Sequence, residues 1–304
     1  MDFTPTPRQA ELIAQVDRAV DETGGLDRAR AFAFRQRLDT GLERALATVI
    51  HPRELTLLER VLIAERLGWT GAATTFGLQA VVLGDTVLAD TGPAGVRQGL
   101  AVVDRHRGGL ARYAADAAQL LVLNEDQASL VELAPGQVEA VPSGAGFPVG
   151  RVPAELLESG RPVEALGLRA RWALAMAAEL SGLAHAVVEL TSTHLRERVQ
   201  FGRPLAHFQA LRHRIANLAV DAEATRWIVR EAAYSGQERS MWLAAVYAAA
   251  VGAALSPDAV QLWGARGFAY EFGVSNLIMR AQGLRLELGS ADRLAETMLA
   301  APAP

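Results

Sequence analysis

The sequence contains neither cysteine nor lysine. The first absence excludes disulfides, thiolate nucleophiles and cysteine-based metal sites, and it fits a reducing compartment. The second excludes a P-loop lysine and a Schiff-base lysine, so all 30 basic residues are arginine. A surplus of positive charge is also lacking. The formal net charge is −4 and the pI about 5.9, which argues against a nucleic-acid partner. Long hydrophobic runs are scarce: the longest, Met241–Leu255 (MWLAAVYAAAVGAAL), is shorter than the roughly 20 residues of a bilayer span. It is alanine-rich, is flanked by Arg239 and Asp258, and reads as a buried bundle helix rather than a membrane segment. The start, MDFTPTPRQAEL, is polar and shows no apolar leader core. The expectation is a cytoplasmic protein with no membrane partner.

What is present is apolar surface. Half of the 304 residues are hydrophobic, enough for a large core and about two domains. Leu12, Ile13, Val16 and Val20 recur at helical spacing over 7–20. Gly24-Gly25 interrupts this run, and a second helix is expected over 27–48, ending before Pro52. LTLLERVLIAERL (Leu55–Leu67) has one apolar face, with Gly68 as its expected C-cap. Ala73–Leu88 predicts a further apolar helix ended by an Asp90-Thr91-Gly92-Pro93 turn. From Leu110 the texture becomes β-like, with strands expected at Gln119–Leu123, Ala128–Leu133 and Gln137–Val141, and with Ser143–Gly150 as linker. Arg169–Glu197 is a long Ala/Leu-rich helix. Leu205, Phe208, Leu211, Ile215, Leu218 and Ala222 give the next helix its apolar face, Ser240–Leu255 forms a third, and Ser256-Pro257-Asp258 is placed to start a fourth.

Between the first two of these helices lies Arg198–Gln209, RVQFGRPLAHFQ. Arg198 and Arg203 bring two fixed charges with donors shaped for phosphate. Phe201 adds a ring face, Gly202 permits close approach, and Gln200 and Gln209 add amides. The set suits a phosphate joined to a planar ring; equally, it describes a helical elbow with a solvated arginine pair, the commoner case. His185 and Glu189 at i,i+4, with His194 and Glu197 beyond, have metal-ligand character, but the second Glu-x-x-His of a di-iron bundle is missing.

RVQFGRPLAHFQ resembles the start of the C-terminal helical bundle of the acyl-CoA dehydrogenase family. Downstream, QLWGARGF (Gln261–Phe268), followed by AYEFGVSNLIMRAQGLRLELGS, resembles the family's Q-x-x-G-G-x-G-F/Y segment and the helix after it. The likeness extends over roughly Leu166–Met298. It implies a mostly α, acyl-CoA dehydrogenase-like chain: an N-terminal helical domain (1–109), a truncated β segment (110–160) and a C-terminal four-helix bundle (161–304). It further implies that Arg198, Gln200, Phe201, Gln209, Gln261, Gly264 and Gly267 contact the adenosine and pyrophosphate end of FAD. Ala265 departs from the pattern's second glycine.

The family's other requirements are not met. Its two stretches that contact the flavin ring, of the T-E-P-x-x-G-S and W-I-T/S-N types, are absent, and the segment from Ala73 to Leu110, where the first belongs, reads as short and helical. The family's catalytic glutamate occupies one of two positions, which here hold Leu288 and Trp172; neither accepts a proton, and Glu287 is the only fallback. Together these features resemble the non-catalytic subunit of an α2β2 heterotetrameric dehydrogenase of the actinobacterial steroid-degrading kind. A catalytic partner would hold most of the acyl-CoA, a steroid side-chain thioester by analogy. FAD would be shared with that partner, and an electron-transfer flavoprotein would be the family's acceptor. The alternatives are a homomer using Glu287 and a flavin-free scaffold on the same fold.

Overall fold

The structure, a computed structural model, describes residues 4–84, 98–125 and 127–301. The expected Asp90–Pro93 turn and the end of the Ala73–Leu88 helix lie outside the described residues. Five helices come first: α1 (Pro7–Glu22), α2 (Gly25–Arg35), α3 (Thr40–Val49), α4 (Leu57–Thr70) and α5 (Phe76–Leu83). Thr6 and Thr56 close capping boxes at the starts of α1 and α4. The single helix expected over 27–48 is two. Asp39 stops it by capping α3, accepting from the Gly41 and Leu42 N–H groups while bound to Arg28. The C-cap of α4 is Gly71 at φ +67°, not Gly68. Gly68 lies inside the helix, where an added Cβ would sit 2.3 Å from the Glu179 carbonyl oxygen.

The β segment contains β1 (Leu100–Asp104), β2 (Leu110–Arg112), β3 (Gln119–Leu123), β4 (Ala128–Glu132), β5 (Glu139–Val141), β6 (Val149–Arg151), the short α6 (Ala154–Leu157) and β7 (Arg161–Val163). One sheet has the order β1-β3-β4-β7, parallel only between β1 and β3; the other has the order β2-β6-β5. β1 lies in the stretch read as helical. It is buried on both faces, so its residues form an unbroken apolar run without the alternation that marks a half-exposed strand. The expected linker is partly strand β6, and its Phe147 is buried in the core.

The bundle is built from α7 (Leu168–Glu197), a two-residue-stranded hairpin of β8 (Val199–Gln200) and β9 (Arg203–Pro204), α8 (Gln209–Ser235), α9 (Glu238–Trp263), α10 (Val274–Leu284) and α11 (Ala291–Ala300). Pro257 does not start a helix; α9 runs through it. A helix-interior proline costs about 3 kcal/mol, but Val251, Leu255, Ala259 and Leu262 continue one buried face across it. The fourth bundle position is therefore filled by α10 and α11. By length and composition alone α7 and α9 are each apolar enough to cross a membrane. α7 is instead the central helix of the core, wrapped by α4, α5, α8, α9 and α10. Gly182 lets α4 touch it at backbone level, since a Cβ there would lie 1.9 Å from the Glu65 carbonyl oxygen.

A buried ionic cluster joins the β segment to the bundle. Glu179 of α7 accepts from Arg112 Nη1 of β2 at 2.6 Å and from Arg280 Nε of α10 at 2.9 Å, and Arg280 Nη1 donates to the Tyr113 hydroxyl at 2.9 Å. Burial pushes the Glu179 carboxyl up, but the two guanidinium groups outweigh it and hold the carboxyl below its ordinary value. The stabilisation is therefore complete above the unfolded-state value and is lost as pH falls through the lower folded-state value. Replacing Glu179 by Ala leaves two buried cations facing each other, a loss of about 3–5 kcal/mol. The expected outcome by thermal unfolding at neutral pH is a Tm lowered by on the order of 10 °C, with the difference from the parent shrinking below pH 4.

Candidate functional site

The predicted phosphate-binding residues gather at one end of the bundle. At the C-terminus of α7 the Arg198 N–H donates to the His194 carbonyl at 2.9 Å, and the Arg198 carbonyl accepts from the Leu205 N–H at 2.9 Å, closing the β8–β9 hairpin. The hairpin turns through Phe201 at φ +53° and Gly202 at φ +77°. The left-handed region is uncommon for phenylalanine, and the turn projects its ring into solvent at 90% exposure. The Phe201 ring meets Phe208 edge-on at 6.1 Å, and the Arg203 guanidinium lies 4.4 Å from the Phe208 ring centre. Gln200 and Gln209 are both exposed.

The second segment arrives at the same end. Gln261 is on the last turn of α9 and is exposed; Gly264, at φ +60°, begins a 3-10 turn over Gly264–Phe268. Nothing lies within 4 Å of where a Cβ on Gly202 or Gly264 would be, so both face open space. Gly267 is different: a Cβ there would press against Trp263 and Val260 at 3.1 and 3.2 Å, so it is closely packed. The two segments are joined by the Trp263 indole, which stacks on His194 (4.1 Å between centres, 11° between planes) and donates to the Thr191 hydroxyl at 2.9 Å. Burial lowers the His194 imidazole below its ordinary value, and Arg266 and Arg198 lower it further against a weaker opposing effect of Glu197.

One of the two positions aligned with the family's catalytic base, Trp172, meets the fallback Glu287 at a cavity. Trp172 and Glu287 line one cavity of about 330 Å³ between β1, β2, the 145–149 loop, α7 and the end of α10. Leu288 is buried and does not line it. Burial raises the Glu287 carboxyl, with Arg112 opposing. One oxygen of Glu287 accepts from Arg112 Nε at 3.3 Å. The Trp172 indole also acts on the Glu287 carboxyl, lowering it alongside Arg112. Arg112 thus bridges Glu179 and Glu287 at the cavity wall. Of the residues with metal-ligand character, His185 bonds Glu223 at 3.1 Å and Glu189 accepts from the Trp69 indole at 3.1 Å.

The ionic cluster and the His194–Trp263 stack were missed in the sequence. A signal existed for the first. Glu179 and Arg280 are lone charges on otherwise apolar helical faces, and such charges are buried only when paired. No local pattern pairs His194 with Trp263.

The acyl-CoA dehydrogenase C-terminal domain profile matches residues 169–301. The C-terminal part of the chain, residues 169–301, is thus similar to that family's C-terminal domain. It is 37% identical over 123 residues to acyl-CoA dehydrogenase IpdE2 of Mycolicibacterium smegmatis, a match covering 40% of each chain. It is 34% identical over 117 residues to 3-sulfinopropanoyl-CoA desulfinase of Paraburkholderia xenovorans, covering 37% of this chain and 30% of that one. These curated relatives are thus matched over well under half their length. The whole chain shares its fold with solved structures. The ChsE4-ChsE5 complex from Mycobacterium tuberculosis aligns at TM-score 0.77 and 22% identity over 100% of both chains. Butyryl-CoA dehydrogenase from Megasphaera elsdenii aligns at TM-score 0.74 and 17% identity over 99% of both. The acyl-CoA dehydrogenase-like, mostly α fold expected from the two motifs is the fold of the chain.

The arrangement around His194 makes a direct prediction. The imidazole should titrate with a midpoint below 6.5, so its neutrality stabilises the fold above that pH and the benefit is lost as the solution is acidified. Proton NMR of His194 checks the midpoint. His194→Gln should remove this part of the stability change between pH 7 and 5.

Proposed function

We propose that this chain is the non-catalytic subunit of a heteromeric FAD-dependent acyl-CoA dehydrogenase, and that it completes, from across the interface, the FAD site of a catalytic partner. The observation that carries the reading is a division within the chain. The adenosine- and pyrophosphate-side motifs converge on an exposed face with open glycines, an exposed aromatic ring and arginines. The base positions hold Trp172 and Leu288, and the adjacent Glu287 is engaged by Arg112.

The residues present fit one half of the cofactor. Arg198 would meet the diphosphate, Phe201 the adenine ring, Gln200, Gln209 and Gln261 its polar edges, and Gly264 would allow backbone approach. The other half is not provided for. The flavin-ring stretches are absent, and Arg112, part of a buried ionic cluster, lies in the cavity wall beside Glu287. When bound, the flavin supplies hydride acceptance; this chain's contribution is to hold and orient the nucleotide. The acyl-CoA, the catalytic glutamate and the contact with an electron-transfer flavoprotein belong on this reading to the partner. Two fold neighbours bear paired names, the ChsE4-ChsE5 complex and the Tcur3481-Tcur3483 steroid ACAD. That pairing supports a two-chain assembly and a bulky steroid-type thioester.

A second reading keeps one supporting observation. Glu287 is largely shielded from solvent, its carboxyl is raised by burial, and it lines a cavity, as a general base in a dry site would. The two readings separate by experiment. In the purified complex with the partner, Arg198→Ala should weaken flavin retention by about ten- to a hundredfold, since a charged hydrogen bond contributes about 1.5–3 kcal/mol. Retention equal to the parent would sink the half-site. Glu287→Gln should leave turnover of the complex within about threefold. Loss of most turnover, with the fold intact by circular dichroism, would establish the homomer reading.

A further inference from the structure

We infer that the cavity walled by Leu26, Trp69, Ala186, Leu190, Asn276 and Leu277 is a binding site for a small neutral molecule, an apolar body about one ring in size that carries an amide or carbonyl group. The inference is independent of the subunit reading. The cavity has a volume of about 180 Å³ and lies where α2, the end of α4, α7 and the start of α10 meet. It shares no lining residue with the space beside Glu287. Ala186 and Trp172 are about four turns, roughly 20 Å, apart on α7.

Three observations carry the site. The first is its lining. Leu26, Ala186, Leu190, Leu277 and the Trp69 ring give mostly hydrocarbon walls, and an apolar cavity of about 150 Å³ is enough to hold benzene. The second is that the walls are set before a ligand enters. The Trp69 indole N–H donates to Glu189 at 3.1 Å, and the Arg66 guanidinium lies 4.0 Å from the Trp69 ring centre. Gly71, at φ +67°, comes so close to Leu277 that a Cβ there would lie 2.5 Å from its Cδ2. Walls held in this way need little ordering on binding.

The third is an unused polar group. Asn276, on the first turn of α10, lines the cavity at 7% exposure, and among the described residues no hydrogen bond engages its side-chain amide. The other polar side chains of the lining are occupied. The Thr70 hydroxyl donates to the Leu67 carbonyl at 2.7 Å and accepts from the Ala72 N–H at 3.2 Å, and Glu189 accepts from Trp69. Gly273, the N-cap of α10 and also in the lining, brings no side chain to the first-turn N–H groups. Buried amides are almost always paired. One set among hydrocarbon walls suits a partner that enters with an apolar body of its own. A carbonyl oxygen accepts from the Asn276 NH2 group, and a ligand amide also donates to the Asn276 oxygen. Glu189, exposed in the lining, sets the charge: it would bring a carboxylate ligand beside a carboxylate, so the neutral compound fits.

The test titrates the purified full-length chain with benzamide and follows the Trp69 indole N–H by nitrogen–proton correlation NMR, the signal being assigned with Trp69→Phe. Benzoate is the anionic control and toluene the apolar one. A saturable shift with benzamide is expected at millimolar concentration, with benzoate about tenfold weaker. Asn276→Leu, close in volume, should weaken benzamide about tenfold while toluene binds as in the parent or better. Glu189→Gln, at an exposed position and with an acceptor kept for the indole, should improve benzoate several-fold and leave benzamide unchanged. No saturable shift with benzamide in the parent, or equal benzamide affinity in the parent and a folded Asn276→Leu, overturns the site. Should Asn276→Leu fail to fold, Glu189→Gln decides: benzoate affinity equal to the parent's overturns the proposed ligand class.

Discussion

The contact on which the most structure depends is the buried meeting of Glu179 with Arg112 and Arg280. Each residue comes from a different part: the central bundle helix, a strand of the small sheet and the penultimate helix. Isolated, any one of them would be too costly to bury as a charge. Together the one carboxylate offsets part of the charge of both guanidinium groups, and none can leave without stranding the rest. The cluster therefore fixes the small sheet against the bundle, and hydrophobic packing alone would do so less specifically. The same geometry allots Arg112 a second carboxylate, Glu287, and so ties the region aligned with the family's catalytic base to the structural network.

Around this point the helices approach unusually closely. Gly68 and Gly182 bring α4 and α7 to backbone contact, and the alanines of α7 and α9 keep the remaining crossings short. A tight, alanine-rich core leaves little internal room, and the space near Glu287 is a cavity of about 330 Å³ walled in part by arginine. The polar chemistry that is open to solvent lies elsewhere, at the end of the bundle where the hairpin and the 3-10 turn meet. Core and site thus sit at different places and follow different rules: paired charges inside, unpaired charges outside.

Much of this was legible in the chain. Helical spacing located α1, α4, α7, α8 and the body of α9, and two short motifs pointed to the fold and to residues that the structure gathers at one end of the bundle. The failures are instructive. β1 carries no alternation because both its faces are buried. The Asp39 break between α2 and α3 is set by a capping side chain and its arginine partner, which periodicity does not register. Pro257 has the local signature of a helix start, but the packed face on either side of it overrides that preference. Gly68 looks like a cap and is a crossing point.

The division between the two levels of information follows from the range of the forces. Composition and periodicity, which act along a few turns of chain, determined that this is an arginine-only, cysteine-free, mostly helical protein with an elbow suited to phosphate. The resemblance of two motifs to the acyl-CoA dehydrogenase family, not periodicity, implied that Trp172 and Leu288 stand at that family's two base positions. Only the tertiary structure decided what those residues face. It placed His194 against Trp263 and gave Glu287 to Arg112. These partners lie tens to hundreds of residues apart, so no local pattern encodes them; they meet because the buried charges of the cluster and the close crossings of glycine and alanine admit one packing.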